Sequence, residues 1–420
     1  MNSHLPFLSS VIAWGIFALI AWFAWDMRSI LKSSQRKNQL SIDGRWRDLE
    51  NYFERAEGTR RPFVWFHQKY LLPGNIETQY ALFLYKQGRL EEALTKVEQA
   101  IQQIERKPWI FRSIHCSATF KTLCGSLKTR TLILTGLGRY DEARGAAAEL
   151  QKLTGPHYKP NAALALLEYY CGHLDEALAL AQVVPPEDTQ YDAMCGLASL
   201  AYAAKGEFDE AIRALSYEPS DITKFYSAAG LETVSATPDG ARLIELQRKK
   251  HAGVFQPARL LFSAQVYIAW GKFEDADRAL DQAEKFLGPE LGLQMSYCRH
   301  RACCLAGQGK SKEAENYIER MRAIARELPK RSLVWEKHFA AGRSYLYLRR
   351  FNDALAELIE AQRSVLHPIE RHSTAYWIAR THDAAGNKRD ANAYYQIVVA
   401  DTIPSWMRKH AAETLDRSGA

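Results

Sequence analysis

One six-residue phrase returns along this chain: Gly, any residue, an aromatic residue or Leu, any residue, an acid, Ala. It reads GRLEEA from Gly88, GRYDEA from Gly138, GHLDEA from Gly172, GEFDEA from Gly206 and GKFEDA from Gly271. Looser copies are GKSKEA from Gly309, RRFNDA from Arg349 and GNKRDA from Gly386. The steps from 138 to 172 and from 172 to 206 are both 34 residues, and the last three are 38, 40 and 37. The first step is 50 and the step from 206 to 271 is 65. Such a period confines the chain to an array of one supersecondary unit. A unit this short cannot bury its apolar face alone and must stack on its neighbours.

The side chains around each phrase give the unit its shape. Seven residues before each turn stand Ala81, Thr131, Ala165, Ser199, Ala264, Ala302, Gly342 and Ala379, nearly all small. The phrase itself ends in Ala93, Ala143, Ala177, Ala211, Ala276, Ala314, Ala354 and Ala391. Four residues later come Val97, Ala147, Ala181, Leu215, Leu280, Ile318, Leu358 and Tyr395. Steps of four lie on one helix face. The small residues let two helices approach closely, and the larger ones fill the groove to the next pair. The Gly between takes a helix-ending conformation that other residues adopt at a cost.

This pattern resembles the tetratricopeptide repeat family, whose unit is a helix-turn-helix of 34 residues. The resemblance spans residues 75–400. It implies an all-α, right-handed superhelical solenoid of antiparallel helix pairs with eight recognisable repeats. The 65-residue step has room for one degenerate pair, with its turn expected at Gly240 in TPDGARLIELQRKK. Within residues 28–74, Trp46, Leu49 and Phe53 stand at helical spacing and predict a capping helix below the array. Residues 401–420 are expected to form a C-terminal capping helix and tail. No stretch alternates as a strand does.

Residues Leu5 to Trp25 carry no charge, and about 20 apolar residues span a bilayer core as a helix. A secretory signal needs a basic start, a shorter apolar run and a small-residue cleavage site. Met1 to His4 holds no Lys or Arg, and the run ends in bulky Trp22, Phe23 and Trp25. Residues 1–27 are therefore expected to be an uncleaved transmembrane anchor. Arg28, Lys32, Arg36, Lys37, Arg45 and Arg47 follow the run. Basic flanks stay cytoplasmic, so the expectation is a single-pass cell-membrane protein with its N-terminus outside and its solenoid cytoplasmic. Seven cysteines without regular spacing make a poor disulfide framework.

A formal charge of +7 over 420 residues falls short of a nucleic-acid footprint. Near misses to catalytic or metal motifs have a structural explanation. CLAGQGKS, Cys304 to Ser311, lacks the first Gly and the preceding strand of a phosphate loop, and its Gly309 is already a repeat turn. Cys298, His300, Cys303 and Cys304 lack the paired spacing of a zinc site. HPIERH, His367 to His372, has neither metalloprotease order, and its Pro368 opens a helix at a repeat boundary. No nucleophile with its base is evident, so no enzyme activity, cofactor or metal is expected. Two aromatic-basic stretches, Arg60 to Tyr70 and Arg106 to Lys121, either touch lipid headgroups or pack into lengthened first repeats.

In the resembled family the first helix of each pair lines a concave groove, at positions six and ten residues before the turn. The early copies are bland there: Thr78 and Leu82, Ala162 and Leu166, Gly196 and Leu200. The later ones hold Gln265, Arg299, Phe339, Arg343, Tyr376 and Arg380. The resemblance implies a protein or peptide partner, and arginines on a rigid wall suit acidic or C-terminal carboxylate segments. Chaperone-binding members carry Asn directly after the small residue. Here that position is Leu82, Leu132, Leu166, Leu200, Gln265, Cys303, Arg343 and Arg380, so their clamp is not expected.

Overall fold

The computed structural model describes Lys32, Asp43 and residues 34–41, 45–57, 74–106, 118–154, 161–184, 191–217, 238–327 and 331–418. Every described regular element is a helix. The helix α1, Trp46–Glu57, buries Leu49 and Phe53. Phe53 stacks on Tyr80 with ring centroids 5.3 Å apart, which sets α1 against the first repeat. The pairs follow in order: α2 (Asn75–Lys86) with α3 (Leu90–Glu105), α4 (Ala118–Gly136) with α5 (Tyr140–Thr154), and α6 (Asn161–Cys171) with α7 (Leu174–Gln182). Next come α8 (Tyr191–Lys205) with α9 (Phe208–Leu215), and α10 (Pro238–Trp270) with α11 (Phe273–Glu284). The last three pairs are α12 (Leu291–Gly307) with α13 (Ser311–Glu327), α14 (Arg331–Tyr347) with α15 (Phe351–Ser364), and α16 (Pro368–Ala384) with α17 (Lys388–Ala400). The helix α18, Trp406–Ser418, closes the array. This is an all-α helical-repeat solenoid.

The repeat register holds in detail. All eight phrase-ending alanines are fully buried, and Val97, Leu280, Ile318, Leu358 and Tyr395 beyond them are too. Each turn closes by the same backbone bond, from the residue after the Gly to the carbonyl five residues back. Arg89 N–H donates to Leu84 at 3.0 Å, His173 to Glu168 at 2.9 Å and Asn387 to His382 at 2.8 Å. This six-to-one bond requires a left-handed residue just before the donor. Seven of the eight turns supply Gly there; in the seventh, Arg349 itself takes φ 61°. A left-handed non-Gly residue costs about 1–2 kcal/mol. Arg349→Gly is therefore expected to raise stability by about 0.5–1 kcal/mol, once the extra freedom Gly gives the unfolded chain is deducted. Urea titration checks it.

The degenerate turn expected at Gly240 does not form: Gly240 lies inside α10, one helix of 33 residues. The following residues, ARLIELQRKK, are nearly all strong helix formers, so the segment extends a first helix and adds no pair. Pro257 lies within the same helix. The expected span, Leu5 to Trp25, and most of both aromatic-basic stretches lie outside the described residues. Among the described residues no helix is long and apolar enough to cross a membrane.

The array bends back on itself. The start of α16, the link at 401–405 and the start of α18 pack across the turns of the second, third and fourth repeats. Ile369 and Ile403 enter the core formed by Leu174, Leu178, Met194 and Leu197. Elsewhere the two ends keep separate cores. One runs from Leu261 to Ala411, the other from Leu40 to Leu167.

Candidate inner-wall site

The arginines predicted for the groove come from α12, α14 and α16, which stand side by side. Rigid first helices set their inner faces in line, and the structure gives each arginine a different environment. Arg299 Nη1 pairs with Glu336 Oε2 at 2.7 Å, across to α14. Its charge is thus met within the protein. His300 beside it is buried, and burial, with Arg299 and Arg343 nearby, holds it well below the usual imidazole range.

Arg343 has no carboxylate partner. Its guanidinium lies 4.4 Å from the Trp377 ring centroid, 5.8 Å from Phe339 and 6.0 Å from Tyr347. Its Nη2 donates to Tyr347 Oη at 3.1 Å, and its buried Nε finds no acceptor among the described residues. Stacking on aromatic faces offsets part of the desolvation of a guanidinium, but it neutralises no charge. Arg380 Nη1 donates to Tyr376 Oη at 3.2 Å, and it too has no ion pair among the described residues. Two cations with spare donors thus project from neighbouring first helices among aromatic rings.

The remaining predicted positions divide. Phe339 is half-buried and stacks on Trp335 at 4.6 Å, whose indole N–H donates to Thr374. Gln265, on α10, is half-buried and has no hydrogen bond among the described residues. Tyr376 is not on the open wall. It is fully buried, packed edge-on against Trp406 with its hydroxyl 3.3 Å from His410 Nδ1. The cap α18 occupies the place of a ninth first helix and covers it.

The sequence reading missed Glu336, which neutralises Arg299, and Trp377, which cages Arg343. Glu336 lies thirteen residues before Arg349, one turn further along the same face as Phe339 and Arg343. Extending the wall by that turn would have found it. Trp377 follows Tyr376 and reaches Arg343 only through the packing of α16 on α14.

The near-miss motifs resolve as packing. In CLAGQGKS, Gly309 takes φ 75° at the turn, and a Cβ on Gly307 would meet the Phe273 ring at 2.3 Å. Cys303 and Cys304 are buried against backbone carbonyls of Ala340 and Phe273. In HPIERH, Pro368 opens α16, and the Glu370 carboxylate accepts the Leu366 and His367 backbone N–H groups. His372 bonds Ser405 Oγ at 2.6 Å. Among the described residues no group of three or more His, Cys, Asp or Glu is placed to hold a metal ion.

No family model matches the chain, and no curated protein matches it. Solved structures do. A chain of the APC/C hetero-tetramer Cut9-Hcn1 superposes with a TM-score of 0.50 at 13% identity, covering 88% of this chain. This chain spans only 59% of that one's length. The human IFIT1 dimer with m7Gppp-AAAA gives 0.41 at 14% identity, covering 92% of this chain and 90% of that one. A monomeric mutant of IFIT1 with Gppp-AAAA gives 0.40 at 15%, covering 89% and 79%. At 13% identity the likeness to the Cut9-Hcn1 chain concerns the fold. Together with the turn geometry and the buried small residues, it makes the chain a tetratricopeptide-type solenoid.

Proposed function

We propose that this protein is a membrane-anchored scaffold that recruits a protein partner through the inner wall of its C-terminal repeats, acting by binding rather than by catalysis. The observation that carries this is the pair Arg343 and Arg380: two guanidinium groups with unused donors and no carboxylate among aromatic side chains. Buried or half-buried charges are ordinarily paired, because desolvating them alone is costly. An acidic segment or a C-terminal carboxylate would complete these two. Arg299, already held by Glu336, would contribute shape more than charge.

The uncharged run Leu5 to Trp25, followed by six Lys or Arg up to Arg47, supports a tether in the bilayer with the solenoid on the cytoplasmic side. A periplasm-dependent phosphatase fused after residue 60 should then be inactive. High activity would place the body on the other face and make the protein an envelope-facing assembly factor.

The double variant Arg343→Gln with Arg380→Gln tests the site. Gln keeps a donor and much of the stem but no charge. Each charge-assisted hydrogen bond lost is worth about 1.5–3 kcal/mol. Crosslinking and purification from detergent should therefore recover the main partner of the wild type at least tenfold less from the variant. Added salt should weaken the wild-type complex. Undiminished recovery by a variant with wild-type helical circular dichroism would reject the site.

A further inference from the structure

The inner wall changes character along α14. Trp335, Phe339, Arg343 and Tyr347 follow one another at steps of four, so they form one row on one face of that helix. All four side chains are half-buried. The Trp335 and Phe339 rings stack 4.6 Å apart at 20°. The Arg343 guanidinium lies 5.8 Å from the Phe339 ring and 6.0 Å from that of Tyr347. The row therefore begins apolar and becomes cationic, with contact at every step. Arg380 widens the cationic end, three residues beyond Trp377, the ring nearest Arg343.

Equivalent positions in other repeats are filled differently. Fourteen residues before the turn, where Trp335 stands, Asp192, Met295 and His372 are buried. Ten residues before it, where Phe339 stands, Thr78, Ala162 and Gly196 are small, and Tyr376 is sealed under α18. The seventh repeat thus leaves two large rings half in solvent, and Val334 beside them is exposed. Aromatic and Arg side chains are those that most often carry binding energy at an interface. This row is also held stiffly. The Trp335 indole N–H donates to Thr374 Oγ1 at 2.9 Å, and Arg343 donates to Tyr347 Oη at 3.1 Å. Little side-chain freedom is then lost when a partner settles on it.

We propose that this row selects the partner: it takes an extended protein segment in which a large apolar side chain lies on Trp335 and Phe339 while a side-chain carboxylate two residues away reaches Arg343 and Arg380. This rests on the reading of those two arginines as the partner's seat. The spacing follows from geometry. Four residues of helix advance about 6 Å. Two residues of extended chain advance about 6.6 Å and present both side chains on one face. The row is one side chain wide, which suits a strand-like segment better than a helix. Glu336 sets the direction. It adjoins Trp335 in the chain and is paired with Arg299, so an acid placed at the apolar end meets a carboxylate and no free cation.

The full chain in detergent provides the test, with three dodecapeptides, each carrying fluorescein at its N-terminus and an amide at its C-terminus. The first repeats Phe-Ser-Glu-Ser, which sets every Phe and Glu on one face of an extended chain. The second repeats Phe-Glu-Ser-Ser, the same composition with Phe and Glu on opposite faces. The third repeats Ala-Ser-Glu-Ser and lacks the large apolar side chain. The wild type should bind the first at least tenfold more tightly than the third and at least fivefold more tightly than the second. Phe339→Ala should bring the first peptide down to the affinity of the third, with the third held within twofold of wild type. Phe339→Leu, gentler on the fold, should lose at least threefold on the first alone. Circular dichroism reports folding. Equal wild-type affinity for the first and second peptides, or for the first and third, would overturn the proposal. So would an undiminished preference in the folded Phe339 variants. Arg343→Gln with Arg380→Gln separates the two readings. If it loses the third peptide while the wild type shows no preference for the first, the arginine seat stands and the apolar row is rejected. If it binds all three as the wild type does, or if the wild type binds none, the seat falls and the row with it.

Discussion

Ala177→Trp is expected to lower stability by about 3 kcal/mol or more. Ala177 is fully buried in α7, where the second helix of the third repeat meets its first helix across the small site at Ala165. Overpacking a close-packed site typically costs about 1–3 kcal/mol, and an indole on a residue with no free space exceeds the usual case. The damage should spread in one dimension. Each repeat depends on its neighbours, and the third repeat also carries Ile369 and Ile403 from the far end. Urea unfolding followed by circular dichroism should show an earlier transition, and hydrogen exchange should place the lost protection in α6 to α9. An unchanged midpoint would mean that the side chain escapes to solvent and that the helix register is wrong.

The second large effect lies in two buried groups of opposite sense at the foot of α16. Burial pushes the Glu370 carboxyl up to about 7 and the His367 imidazole down to about 4. A raised acid contributes stability that is full below its unfolded value, near 4.5, and is lost as pH climbs to about 7. A depressed imidazole contributes stability that is present above its unfolded value, near 6.5, and is lost as pH falls toward 4. Each shift corresponds to about 3 kcal/mol. Between pH 4.5 and 6.5 the folded chain holds one proton on Glu370, while the unfolded chain holds one on His367. The slopes of these two groups therefore cancel, and the fall of wild-type stability on acidification there comes from His300, His372 and His410, which burial also holds below the usual imidazole range. Glu370→Gln should leave the His367 imidazole uncompensated, so that stability falls more steeply than in the wild type as the solution is acidified from pH 6.5 to 4.5. His367→Gln should do the reverse, losing stability relative to the wild type as pH rises from 4.5 to 7. Urea titrations of the three proteins across that range check it. Parallel profiles would show that neither group keeps its buried environment.

The six-residue phrase by itself determined that this chain builds helix pairs, where each pair turns, and which alanines vanish from solvent. Those features are local: a left-handed turn residue, a small side chain at a crossing and a step of four are all written within some fifteen residues. Even the Arg349 turn obeyed its neighbours' register, because the flanking helices fix the backbone there and Arg can be strained into it. The expectation at Gly240 failed for the same local reason. A Gly between good helix formers, without the acid-Ala step after it, gives the chain no cause to turn. The partners of the inner-wall arginines were not legible, since Glu336, Trp377 and Tyr347 reach them through packing between first helices. Least legible was the meeting of the ends. The contacts of His367, Ile403 and Trp406 depend on the rotation added at every repeat interface, summed along the array. Small differences at each step decide whether the chain closes on its own turns or passes beyond them, and only the tertiary structure contains that sum.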